Sequence, residues 1–281
     1  MPAHLTIRDG TPWWISPDIW VVPGNDPNGA PGSPVAGKPA YLWARISNTG
    51  NSDVSSSRVD FYWANPSAQM VVGVATFIGS AYADLSAGDT QDVLCLVPWT
   101  PVMVNGGHEC VLAVVHGAGD QNPIPDPLPN GYPFDPPNHD QIAQLNLSVL
   151  QASMLQMPLV MFVNAVGRTN KRAHLSVEVA KSADERLLRQ LGFIDVHPAR
   201  DALVDVKLGR EARCHEPEGR SELDIDVPRG TSLPVFVHLN AQKLPQGHYQ
   251  LVHVIERSGD QVVGGVSYLI VNTHLQRESS D

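Results

Sequence analysis

The chain has 281 residues, of which 17% are charged, with a net charge of −10 and a pI near 5.5. Binding to a phosphate backbone or to an anionic membrane needs a basic face, so this balance argues against both kinds of partner. Gly and Pro number 23 and 24, and the apolar residues fall in short patterned runs, which is the composition of a turn-rich globular β protein and not of a disordered chain.

The opening MPAHLTIRDGTPWW has no basic region followed by an apolar one, so no ordinary secretory signal is expected. No stretch approaches the ~18 consecutive apolar residues of a membrane span. The sequence therefore predicts a protein without membrane insertion, either cytoplasmic, or exported without a cleaved signal, or beginning after a removed one. Three cysteines are too few for a disulfide-stapled scaffold.

Trp13, Trp14 and Trp20 come first, followed by the loop-forming stretch PGNDPNGAPGSP. Residues 40–47 read as a strand with Tyr41, Trp43 and Arg45 on one face and Leu42, Ala44 and Ile46 on the other. After the turn cluster NTGNSD, residues 58–63 and 70–78 read as strands, SAGDT as a turn, and 91–98 and 108–116 as two further strands. This spacing predicts a sandwich, with no amphipathic helix in residues 1–150. Residues 117–140 form a Pro-rich loop long enough to be functional or mobile. The alternating run 144–150 is expected to close the first domain (1–150), and 151–158 to be a linker.

In the second domain (159–272) strands are expected at 159–164, 174–179, 204–208, 223–227, 233–239, 248–256 and 261–271, the last two joined as a hairpin through Ser-Gly-Asp. One short helix is predicted over 182–191, with Ser182 as N-cap, Asp184 and Glu185 in its first turn and Gly192 as its stop. Residues 273–281 read as a polar tail. All six Trp lie in the first 100 residues, which predicts two separate cores, one aromatic and one aliphatic. The fold class is all-β, two tandem β-sandwiches, the first Ig-like.

Several segments carry a resemblance. Ser16-Pro17-Asp18-Ile19, Ser47-Asn48-Thr49-Gly50, Val59-Asp60-Phe61-Tyr62-Trp63, the turn Leu85-Ser86-Ala87-Gly88 and the strand opening His108-Glu109-Cys110 make residues 13–150 resemble the bacterial Ig-like modules of CARDB (cell-adhesion-related) type. The resemblance implies an Ig-like sandwich and transfers no catalytic residue. The second half resembles no family beyond a PxGxY turn that starts a strand in many β-sandwiches.

No phosphate-binding glycine loop and no G-x-S-x-G elbow occur. A hairpin about Val102–Met103 would set Cys95 opposite Cys110, with His108 and His116 on the same face as Cys110; small buried apolar cysteines are expected, a cross-strand disulfide or a metal being the alternatives. The loop acids Asp120, Asp126 and Asp135 lack calcium-loop spacing, so a solvated loop is expected in place of a cation site. Cys214-His215-Glu216 reads as a polar turn, not as a triad. No catalytic residue, metal or cofactor is assigned. The expected function is a non-enzymatic structural or interaction protein, an accessory subunit that binds a larger protein assembly through sheet edges, the 117–140 loop or an inter-domain groove. The candidate contact residues are Trp13, Trp14, Trp20, Trp99, Asp120, Asp126, Tyr132, Phe134 and Asp135. A carbohydrate-binding module using the Trp residues as a platform for a glycan is the alternative, and a hydrolase with a non-contiguous site is a third.

Overall fold

The computed structural model describes residues 2–65, 67, 70–102, 110–155, 158–165, 170–211 and 220–273. The first half contributes β1 (Leu5–Thr6), β2 (Ile19–Pro23), β3 (Ala40–Asn48), β4 (Val54–Ala64), β5 (Thr76–Leu85), β6 (Thr90–Leu94), β7 (Cys110–His116) and β8 (Ile142–Leu145). In sheet I the central β3 pairs with β1, β2 and β6; sheet II runs β5-β4-β7-β8, and every pairing in both sheets is antiparallel. The two sheets pack face to face. The strict alternation of β3 places Leu42, Ala44 and Ile46 in the core and turns Tyr41, Trp43 and Arg45 outward.

The strand expected at 70–78 begins later: residues 70–75 form only isolated bridges, and the regular strand is β5. Asn48, at the end of β3, is fully buried and explains the Asn-Thr-Gly signature. Its Nδ2 donates to Ser52 O, Leu85 O and Ser86 O, and its Oδ1 accepts from His4 N and Gly50 N. One amide thus ties the N-terminal strand to both arches of the sandwich.

β9 (Leu147–Gln151) continues directly from β8 but pairs in parallel with β17. The strand expected to close the first sandwich therefore divides at Asn146 and joins two sheets. Asn146 is fully buried and donates to Ser67 O and Gly265 O, so the crossover has its polar groups satisfied.

The second half contains β10 (Leu159–Asn164), β11 (Lys171–Ala180), the helix α1 (Glu185–Gln190), β12 (His197–Pro198), β13 (Asp205–Gly209), β14 (Glu222–Val227), β15 (Ser232–Asn240), β16 (His248–Ser258) and β17 (Gln261–Asn272). Sheet III runs β10-β15-β13; sheet IV runs β14-β11-β16-β17-β9, with β12 beside β16. The cap of α1 is Asp184, not Ser182. Its carboxylate accepts from Arg186 N and Leu187 N, two of the donors a helix start leaves free. Among the described residues no helix is long and apolar enough to cross a membrane. Residues 274–281, expected as a tail, lie outside the described residues.

Two cores form, one richer in aromatic and one in aliphatic residues, but they are not confined to one half of the chain each. Val252, Val254, Val266, Tyr268 and Ile270 face sheet III inside the second sandwich. The alternate residues Tyr249, Leu251, Ile255, Leu269 and Val271 join Trp14, Ile15 and the first-sandwich core in one cluster, with Leu187 and Leu188 of α1. Sheet IV is covered on both faces, which is why β16 and β17 read as continuous apolar runs. The aromatic residue at the junction is Trp14, and sheet IV is the wall common to the two cores.

Candidate functional site

β5 and β6 follow one another through the 86–89 turn, yet β5 belongs to sheet II and β6 to sheet I. Each is the outermost strand of its sheet, and neither pairs with the other. Between them runs a groove of about 340 Å³ lined by Ser80, Ala81, Tyr82, Ala83, Gln91, Asp92, Val93, Leu94 and Leu96. An edge strand leaves backbone N–H and C=O groups without ladder partners.

Four large apolar side chains on or beside this seam are exposed. Phe77 is 53% exposed, Tyr82 66%, Leu96 72% and Val97 46%. Phe77 leans edge-on against Tyr62, with ring centroids 5.5 Å apart. Val97 closes against β5 because residue 79 is glycine: a Cβ there would fall 2.7 Å from Val97 Cγ2 and 3.0 Å from Cys95 Sγ. Scattered single apolar residues on a surface are ordinary; here four occur on or beside two edge strands.

Next to the seam a polar network holds sheet II together. Arg58 Nε donates to Asp60 Oδ1 at 3.0 Å and Arg58 Nη2 to Asp126 Oδ1 at 2.6 Å, while Ser80 Oγ donates to Asp60 Oδ1 at 2.5 Å. His116 Nε2 lies 3.4 Å from Asp60 Oδ2. Burial pushes the Asp60 carboxyl up, but its contacts with His116, Ser80 and Arg58 outweigh burial and hold it below the usual range. Serine, acid and histidine are all present, but the acid sits in the middle. Ser80 donates to the carboxylate and has no contact with His116, so the arrangement lacks the base that would activate the hydroxyl.

A second serine–histidine pair has the right distance and the wrong location. Ser267 Oγ is 2.8 Å from His253 Nδ1, but both residues are buried and the Trp14 indole donates to the same hydroxyl. Burial pushes His253 down to about 4. The pair serves the junction between the sandwiches.

The sequence-selected residues scatter. Trp14 and Trp99 lie in the core, Trp99 at the wall of a small cavity at the sandwich junction. Trp13 packs edge-on against Trp14, with centroids 5.3 Å apart. Trp20 stacks on Trp43 with centroids 5.8 Å apart, and the Arg186 guanidinium sits 6.0 Å from the Trp20 ring centre. The four tryptophans selected from the sequence therefore do not form one platform.

The 117–140 loop folds back onto the outer face of sheet II. Ile124 and Phe134 are buried there among Tyr62, Leu112, Val114 and Ile142, with Tyr132 and Leu128 packed against them. Phe134 is thus a core residue, and Tyr132 hydroxyl meets His139 Nε2 at 3.2 Å. Asp120 accepts from Leu5 N, Asn122 N and Gln141 Nε2, Asp126 is held by Arg58, and Asp135 accepts from Asn138. Asp120 thus ties the loop to β1 and Asp126 ties it to β4, while the bond of Asp135 stays within the loop. Among the described residues no three His, Cys, Asp or Glu side chains gather as a metal site.

Cys95 and Cys110 are both buried and free. They are not hairpin partners: Cys95 follows β6 of sheet I and joins the inner core, and Cys110 opens β7 of sheet II and joins the cluster beneath the loop. Burial pushes both thiols up, away from the thiolate form. His108 and Cys214-His215-Glu216 lie outside the described residues. The seam residues Phe77, Tyr82, Leu96 and Val97 were missed in the sequence, the strand signal having been placed at 70–78.

No family model matches the sequence, and no curated protein matches it. Part of the chain is similar to the CARDB domain of a Pyrococcus furiosus protein crystallised with di-metal ions: 14% identity over 51% of this chain and 85% of that one, with a TM-score of 0.28. It is also similar to a red sea bream transglutaminase (10% identity, 92% of this chain and 31% of that one, TM-score 0.24) and to a tip adhesin of Pseudomonas aeruginosa (11% identity, 98% and 99%, TM-score 0.22). No function is carried over from these similarities.

Proposed function

We propose that the protein is a non-catalytic interaction module that docks a protein partner through the β5–β6 seam. The supporting observation is the exposed apolar group Phe77, Tyr82, Leu96 and Val97 beside two unpaired edge strands. Sheet edges of this kind recognise partners by strand addition, the backbone supplying affinity and alternate side chains specificity. The other candidate surfaces have lost their openness: the Pro-rich loop is packed down, and the cavity at the sandwich junction, lined by Trp20, Trp99, Leu145, Leu187 and Leu191, encloses only about 90 Å³, where small-molecule sites run to ~300–1,000 Å³.

The test is affinity purification from the native host of the tagged chain beside its Tyr82→Lys/Leu96→Lys variant. Both side chains are exposed, so the fold tolerates the change. A protein recovered with the parent chain and lost with the variant supports the reading; retention by both overturns the seam as the docking surface. A glycan-binding reading keeps one observation, the half-buried Trp20–Trp43 stack on the outer face of sheet I. A glycan-array signal abolished by Trp43→Ala would favour it.

A further inference from the structure

We propose that the occupant of the seam is an extended, basic segment of a protein partner, added as a strand on the free edge of β5, with Lys or Arg alternating with apolar side chains. This rests on the module reading above and names the chemistry of the partner.

The geometry supplies the strand-adding template. β5 is ten residues long, pairs among the described strands with β4 alone, gives one carbonyl, Asp84 O, to Gln91 Nε2, and carries exposed apolar groups at Phe77 and Tyr82, with Leu96 and Val97 alongside. An incoming strand satisfies the edge backbone and sets every second side chain against that surface.

The charge distribution supplies the sign. Residues 1–150 hold four Lys or Arg against thirteen Asp or Glu, a net of −9, whereas residues 151–281 hold fifteen against sixteen. Nearly all the acidity of the chain is in the sandwich that carries the seam. From residue 59 to residue 167 there is no Lys or Arg. Around the arch joining β4, β5 and β6, Asp53, Asp84 and Asp89 are exposed, and each accepts from backbone or side-chain amides. None of the three has a cationic partner among the described residues; Asp92 alone is met, by Arg45 in a two-point contact.

That field attracts a basic segment and repels a second copy of the same acidic sandwich, which would otherwise be the obvious occupant of an open edge. Acids on an edge blunt self-pairing while leaving the edge available to a partner of opposite sign.

The experiment uses the full chain and two end-blocked ten-residue peptides matched to β5, one alternating Lys and Val, the other Glu and Val. Affinity is read by fluorescence anisotropy at low and high salt, and location by amide hydrogen exchange. The Lys/Val peptide is expected to bind at least about tenfold tighter than the Glu/Val one, to weaken as salt screens the contact, and to slow exchange over residues 76–85. Binding is expected to vanish in Tyr82→Lys/Leu96→Lys, and to weaken in Asp84→Asn/Asp89→Asn. Equal binding of the two peptides, protection elsewhere than β5, survival in the first variant, no binding by either peptide, or self-association of the chain through residues 76–85 overturns the proposal. The module reading fails on a different result, the loss of any protein partner at the seam in the native host.

Discussion

The indole N–H of Trp14 donates to Ser267 Oγ at 2.9 Å, joining residues 253 positions apart in sequence. The same hydroxyl contacts His253, whose ring lies edge-on to the indole. A buried hydrogen bond of this kind fixes orientation as well as adding stability.

Truncating Trp14 therefore weakens both sandwiches together. Trp14→Ala is expected to cost about 3–5 kcal/mol, and Ser267→Ala about 1–3 kcal/mol, because it leaves the indole N–H unpaired. Urea unfolding of the parent chain should show one transition, and Trp14→Ala should lower its midpoint or split it in two. Gly265→Ala should mimic the defect, since its Cβ would fall 2.4 Å from Trp14 Cζ2 and 2.7 Å from Val254 O.

Asp60 anchors the polar network on sheet II. Asp60→Ala is expected to destabilise by about 1–3 kcal/mol, because it leaves Ser80 and Arg58 Nε without their acceptor, and Asp126→Ala by much less, since Asp126 is half exposed. Chemical denaturation of the two variants side by side checks the order.

Phe134 plugs the outer face of sheet II. Phe134→Ala should cost about 3–5 kcal/mol, and deletion of residues 120–138 should unfold the first sandwich and not merely remove a binding loop. Circular dichroism and thermal unfolding of both variants decide this; a deletion variant with undiminished stability would contradict the packing.

Stability should also depend on pH through His253. Its folded value is pushed from the ordinary 6.5 down to about 4 by burial. Between those values the unfolded chain binds a proton that the folded chain refuses, so stability rises with pH through this window. It is fully present above about 6.5 and is lost as pH falls through 4. His253→Gln should flatten that slope in denaturant titrations. Asp9 acts with the opposite sign: burial and then the Asp140 charge push it up to about 7, so its contribution is present below the ordinary carboxylate value and lost as pH rises through 7. Asp9→Asn should accordingly raise the melting temperature at pH 8.

Much of the sandwich architecture was legible in alternation and turn chemistry. β3, β10 and the β16–β17 hairpin fall where the period-two pattern and the Ser-Gly-Asp turn place them. β5 was displaced because Met70, Val71 and Val72 look like strand yet are held by the folded-back loop, through Val71 opposite Pro133. The 117–140 loop read as solvated because its prolines and acids hide Ile124 and Phe134, whose burial depends on the outer face of a sheet formed elsewhere in the chain. The sharing of sheet IV between the two cores is hidden for the same reason: an apolar run such as β17 does not reveal whether its second face meets solvent or another sandwich. The acidity of the first half was visible in the residues themselves, but only the open edge gives it a place to act.

The most direct test is photo-crosslinking in the native host from a benzophenone side chain placed at Tyr82, compared with one at the exposed Ile194 of the second half. The account predicts a protein adduct from residue 82 and not from residue 194, with the crosslinked segment rich in Lys or Arg alternating with apolar residues. An adduct from residue 194 alone, or none from residue 82, would contradict docking through the β5–β6 seam.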